Sequence, residues 1–170
     1  AFNLVFNGTN VLGGNIVKVL GTDAPFTVTV NDSGMDMTKT LGLVAGVNNV
    51  YYNRQADVFA NAKDGDTINV LQTLVIDGPM TLQNLTFKAE AVNPAIRIVN
   101  NAFVAVNNVT FDTAAYAFIL GASDGSSAGN LHIYDGSFHS GTSVVSVTKG
   151  ELVIRDGSFS ADAYNGSYAY

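Results

Sequence analysis

Four segments in the second half of this chain are versions of one another, and that self-similarity limits the folds open to it. Residues 80–87, 104–111, 131–138 and 152–159 each read apolar, any, apolar, any, Asn or Asp, apolar or Gly, Ser or Thr, Phe. The copies lie 24, 27 and 21 residues apart. A looser family falls between them at residues 67–71, 95–99, 116–120 and 144–148. Periods in this range are the signature of a repeat architecture. The apolar residues alternate within each copy, as half-buried strands require, and no helical period intervenes. Stacking such units places each strand beside its counterpart at about 4.8 Å, all in parallel. The product is a parallel β-helix with one continuous core. An antiparallel sandwich with look-alike hairpins is the alternative.

The pattern assigns roles within the repeat. Phe87, Phe111, Phe138 and Phe159 are expected to stack as an internal aromatic ladder. Asn84, Asn108, Asp135 and Asp156, three residues earlier, are expected at equivalent corners, where short polar side chains satisfy bent backbone.

Residues 1–50 lack the repeat and read as a small β-module for attachment, of three to five strands. Residues 2–6 and 26–30 alternate, and Asn7-Gly8 is a strong hairpin signal. Residues 16–20 and the apolar run 41–50 add further strands. So small a module buries little core alone and is expected to lean on the solenoid or on a neighbouring subunit. Residues 53–63 predict a helix with Asn53 as N-cap, Ala56, Phe59 and Ala60 on its apolar face, and Asp64-Gly65 as its stop. It precedes the first coil, from about residue 66, and would cap the solenoid's exposed edge.

The short Ala-rich helix, the Gly65-Asp66-Thr67-Ile68-Asn69-Val70 run and the Gly-Ser-Phe corners together resemble right-handed β-helix proteins of the pectin-lyase-like superfamily. The similarity is nearest to repeat proteins of phage particles and bacterial surfaces. It covers roughly residues 51–170 and implies a short right-handed parallel β-helix behind the capping helix; with the N-terminal β-module the expected fold is all-β. It says little about function, because one fold hosts many. Virion β-helices of this kind are usually trimers, and Tyr116, Phe118 and Tyr134 are candidates for the flanks that would be hidden between copies.

Composition narrows the function. A net charge of −6 with scattered Lys and Arg argues against nucleic acid. No apolar run reaches membrane-spanning length. The absence of Cys removes disulfides and thiolate metal sites. Loss of an initiator Met or of a signal peptide would each account for the start at Ala1. Residues 162–170 begin a further coil, which a partner or a longer chain would complete.

Polysaccharide hydrolysis needs convergent carboxylates. Asp135 with Asp156, and Asp64 with Asp66, are the candidates, but the first pair belongs to the corner consensus. Asp64-Gly65-Asp66 is also a possible Ca²⁺ triplet, read instead as a turn. A lyase needs a base beside an acidic cluster, and Arg97, Lys149 and Arg155 have none in sequence. His132 and His139 read as surface histidines. The sequons at Asn7, Asn84 and Asn108 read as coincidence, and Thr27 and Thr29 alone do not make an ice-binding array. No catalytic residue, metal ligand or cofactor is assigned.

The expected function is a non-enzymatic structural protein of a large assembly: a phage virion component, either a capsid decoration (cementing) protein or a fibre-like appendage. Its partner would be the assembly's major structural protein, with a homotrimer favoured and neither nucleic acid nor membrane involved. A bacterial surface adhesin binding glycan, through residues such as Tyr164, Tyr168 and Tyr170, is the first rival and would be extracellular. A polysaccharide lyase or hydrolase is the second.

Overall fold

The computed structural model describes residues 2–6, 24–31 and 42–162. From residue 67 onward the chain visits three sheets in strict rotation. The first coil comprises β5 (Thr67–Val70), β6 (Leu74–Ile76) and β7 (Met80–Gln83). The second comprises β8 (Thr86–Ala89), β9 (Ile96–Ile98) and β10 (Ala102–Asn107). The third comprises β11 (Val109–Thr113), β12 (Phe118–Leu120) and β13 (Gly129–Ile133). The fourth comprises β14 (Gly136–Ser140), β15 (Val145–Val147) and β16 (Gly150–Ile154), and β17 (Ser158–Ala161) opens a fifth. Every pairing between successive coils is parallel. This is the expected β-solenoid, and the antiparallel sandwich is excluded.

Register puts like over like. Phe87 pairs with Phe111, Phe111 with Phe138 and Phe138 with Phe159. Their rings stack at 4.6, 5.7 and 4.8 Å between centroids, within 15° of coplanar. Phe87, Phe111 and Phe138 are buried, whereas Phe159, in the last described coil, is 39% exposed. The other walls repeat the device with columns that are aliphatic apart from Phe118. One runs Leu74–Ile96–Phe118–Val145, and another Leu82–Val106–Ile133–Ile154. Alternation sends these residues inward and their neighbours outward, which is why the strands read as half-buried.

Each eight-residue repeat is two short strands, not one. The Asn or Asp corner bends the chain from one sheet into the next, so residues 80–87 become β7 and β8. The looser family also divides. Its members at 95–99, 116–120 and 144–148 supply β9, β12 and β15, but residues 67–70 form β5, which pairs with β8. Ile68 therefore lies beneath Phe87 at the foot of the aromatic ladder. The counterpart of β9 in the first coil is β6.

Phe118 does not flank the solenoid, as expected for a surface between copies. It is fully buried, with its ring 4.7 Å from Phe111 and 6.4 Å from Phe138. Its place in the alternation of β12 decides this, since it follows Ile96 in an inward column.

At the start of the chain, β1 (Phe2–Phe6) pairs in parallel with β2 (Phe26–Val30). The hairpin β3 (Ala45–Val47) and β4 (Val50–Tyr52) then joins β2 to β5 through antiparallel ladders. Nine strands thus form one sheet in the order β1-β2-β4-β3-β5-β8-β11-β14-β17. The module's small core of Phe26, Val28, Val30 and Leu43 is separate from the solenoid's. The Asn7-Gly8 turn and the strand at 16–20 lie outside the described residues.

The helix, α1 (Gln55–Asn61), is shorter than expected and differently capped. Arg54 is the N-cap and makes no side-chain capping bond. Asn53 is committed elsewhere: its Oδ1 accepts from the Phe26 amide at 2.9 Å, and its Nδ2 donates to the Ala24 carbonyl at 3.0 Å. Val58, not Ala56 or Ala60, is the buried side chain, while Phe59 packs partly buried on the solenoid core.

Phe111 sits in the middle of the ladder with a ring on either side. Phe111→Ala is expected to lower unfolding free energy by about 3–5 kcal/mol, checked by chemical denaturation against wild type.

Candidate functional site

Beyond the core, the polar side chains that recur from coil to coil are the candidates for function, and each has a traceable partner. Asn84 and Asn108 hold left-handed backbone, with φ of 53° and 49°. Asn is among the residues other than glycine that adopt this conformation most readily. The two amides also bond each other, Asn108 Nδ2 donating to Asn84 Oδ1 at 2.8 Å. Asn84 Nδ2 in turn donates to Asp64 Oδ2 at 2.7 Å, so the ladder ends on a carboxylate.

The corner changes chemistry in the later coils. Asp135 and Asp156 occupy the same register, but there each carboxylate accepts its own successor's amide, from Gly136 and Gly157, at 2.7 Å. Glycine follows because space runs out: a Cβ on Gly136 would lie 2.6 Å from the Val109 carbonyl. The four corner residues are thus structural, in two different ways.

The Asp64-Gly65-Asp66 carboxylates do not converge. Asp64 serves the Asn84 ladder, while Asp66 accepts from Asn48 Nδ2 at 2.9 Å and from the Lys63 amide at 2.8 Å. These bonds, Asn48 first, hold the Asp66 pKa below the usual carboxylate value. Among the described residues, no group of three His, Asp or Glu side chains is placed to hold a metal ion. Arg97 Nη1 donates to the Gly121 carbonyl and Lys149 Nζ to that of Gly125, both at 3.1 Å.

His132 and His139 differ in their surroundings. His132 lies on the outer face of the sheet containing β10 and β13, its ring 4.7 Å from Phe103 and 6.4 Å from Tyr134. Phe103 is 41% exposed and Tyr134 45%. His139 bridges two coils: Nδ1 is 3.1 Å from Asp112 Oδ1, and Nε2 is 3.3 Å from Asp162 Oδ1. A neutral imidazole donates from only one nitrogen and both partners accept only, so two bonds require imidazolium. Hydrogen bonding to Asp112, then to Asp162, raises the His139 pKa. Lys88, beside Asp112 in the register, is the other charged group of this column. The residue after each repeat Phe (Lys88, Asp112, His139, Ser160) faces outward in one line. Reading that position down the four copies was the available signal for this bridge.

Two grooves mark the surface of the N-terminal end. One, of about 360 Å³, lies between α1 and β7, lined by Phe59, Ala62, Met80 and Leu85 with Asp64 at its rim. The other, of about 590 Å³, lies beside β2 and β4, lined by Phe26, Tyr52 and Asp57 among others. Each contains a single carboxylate. Among the described residues no helix is long and apolar enough to cross a membrane.

Two outcomes test these assignments. Asn108→Ala places a Cβ-bearing residue without a local amide in left-handed backbone, at a cost of about 1–2 kcal/mol. Asn108→Gly is expected to relieve the backbone part and lose only the amide bond; paired denaturation curves separate the two. The His139 bridge has a raised folded-state pKa, so its stabilisation is complete below the unfolded value near 6.5 and is lost as pH rises through the raised one. Amide exchange in β17, corrected for its intrinsic pH dependence, is expected to accelerate across that window in wild type and not in His139→Gln.

Comparison with family models, with curated proteins and with solved structures finds no match to this chain.

Proposed function

We propose that this chain is a non-enzymatic structural protein of a large assembly, a virion component that decorates a capsid or forms part of an appendage. The observation that carries the reading is how the recurring carboxylates are used. Asp135 and Asp156 each hold the backbone of the next residue, and Asp64 terminates an amide ladder. Glycoside hydrolysis needs two carboxyl groups facing one bond across roughly 5–10 Å. Neither groove offers such a pair. What the repeats provide is a shaft of stacked coils whose first strand is continuous in its sheet with an N-terminal module. In this reading the module attaches, the solenoid projects or clamps, and three copies pack side by side.

One observation favours a second reading, a glycan-binding surface protein. Phe103, His132 and Tyr134 form a partly exposed aromatic cluster on the outer face of one sheet. Aromatic faces with amide neighbours suit sugar rings; Asn130 adjoins Phe103 in the register. Tyr164, Tyr168 and Tyr170 lie outside the described residues.

Particles banded by density centrifugation from cultures of the source, or of phage growing on it, provide the test. The chain is expected to co-sediment in fixed stoichiometry with the major shell protein. Its presence only at the cell surface would replace the virion reading with the adhesin one. Release of reducing ends from acidic polysaccharide by the purified chain, abolished by Asp135→Ala or Asp156→Ala, would overturn the non-enzymatic assignment.

A further inference from the structure

The first coil has three strand edges facing away from the rest of the solenoid, and they are treated differently. The edge of β5 is paired with β3. The edge of β6 is closed by one side chain: Gln55 Nε2 donates to the Val75 carbonyl, and Gln55 Oε1 accepts the Val75 amide, both at 2.7 Å. A primary amide reproduces there the two bonds of a neighbouring strand. The edge of β7 has no such partner among the described residues; its one neighbouring strand is β10.

The direction of the unused groups follows from the ladder. The carbonyls of Val106 and Ile133, one register position, accept from Tyr134 and Arg155 of the following coil. The alternate residue, Asn107, turns its carbonyl to Asn84 of the preceding coil. Leu82 shares the register of Val106, so Thr81 and Gln83 direct their amides and carbonyls toward the preceding side, where no strand of the described residues lies. Both side chains are exposed. On that side the groove of about 360 Å³ opens, walled by Phe59 and Ala62 of the helix segment and floored by Met80 and Leu85. This is the lower end of the range for binding clefts, roughly 300–1,000 Å³, and gives room for a few residues of extended chain.

We infer that the groove between α1 and β7 receives one extended segment of another polypeptide, which adds as a strand to the β7 edge. A row of alternating main-chain donors and acceptors is matched by another backbone, and strand addition to an open edge is an established mode of peptide recognition. Phe59 and Ala62 line the groove on its α1 side, so slender inward positions of the added strand, of the Ala or Val kind, fit it best. Its outward positions lie beside Thr81 and Gln83 and are unrestricted. The inference rests on the structural reading above for the source of the strand, a neighbouring protein of the assembly.

A labelled synthetic peptide with the sequence of residues 102–107, Ala-Phe-Val-Ala-Val-Asn, is the probe, because that strand pairs with β7 on its other side and has slender inward residues. Titrated onto the full chain, it is expected to bind saturably and to slow exchange of the Thr81 and Gln83 amides. Thr81→Pro, which removes an outward amide and leaves the β10 ladder intact, is expected to weaken binding about tenfold, the scale of one lost hydrogen bond. A backbone N-methylated peptide on wild-type protein is expected to do the same, and guards against a folding defect in the variant. No saturable binding up to about 1 mM, or binding indifferent to both changes, overturns the inference. So does slow exchange of the two amides in the free chain, which means its own residues cover the edge. Protection that grows with protein concentration alone assigns the edge to a second copy and overturns it likewise. These outcomes do not depend on particle sedimentation, so either reading can fail without the other.

Discussion

Parallel pairing of like positions, coil upon coil, is the constraint on which the rest of this protein depends. A strand displaced by one residue would turn its whole inward set to solvent, so the columns of Phe, Leu, Ile and Val hold the register while the ladder holds the spacing. Most buried side chains meet the counterpart position in the coils above and below, as in other quasi-one-dimensional proteins, and Phe118 also meets Phe111 and Phe138 from a neighbouring sheet. Coil length is then free to vary where the chain leaves the columns, as the offsets of 24, 27 and 21 residues between ladder positions demonstrate.

A stack of coils solves the interior and leaves the ends to be solved separately. At the N-terminal end one sheet is continued by the β3–β4 hairpin, and another is stopped by the amide of Gln55. Helix α1 packs Val58 and Phe59 over the core beside them. These are different physical answers to the same problem of unpaired backbone, and they explain why a short helix belongs in an otherwise all-strand chain.

Much of this architecture was legible from the repeat alone. The ladder Phe87, Phe111, Phe138 and Phe159 and the corners Asn84, Asn108, Asp135 and Asp156 follow from position within the copies, because register is a local consequence of alternation. Less legible was whatever depends on a partner distant in sequence. Asn53 looks like a helix cap, but the strand at Phe26 claims its side chain. Phe118 looks like a surface aromatic until the columns of β9 and β12 are placed in contact. Residues 67–70 resemble one family of strands by composition and join another by pairing. The His139 bridge required two carboxylates 27 and 23 residues away. Function was the least legible, since the polar residues that recur are the ones the coil itself consumes.

The corner ladder has a polarity that its individual bonds conceal. A carboxamide gives and receives, so Asn84 and Asn108 hand a proton donor down the axis from one winding to the next, and such a chain has no intrinsic length. Asp64 can only receive, and in the later coils Asp135 and Asp156 turn inward on their own successors. The Asn segment is therefore a module bounded by full stops on either side. Duplication of one winding between them would lengthen the shaft while leaving both ends chemically unchanged, a simple evolutionary route to solenoids of different reach.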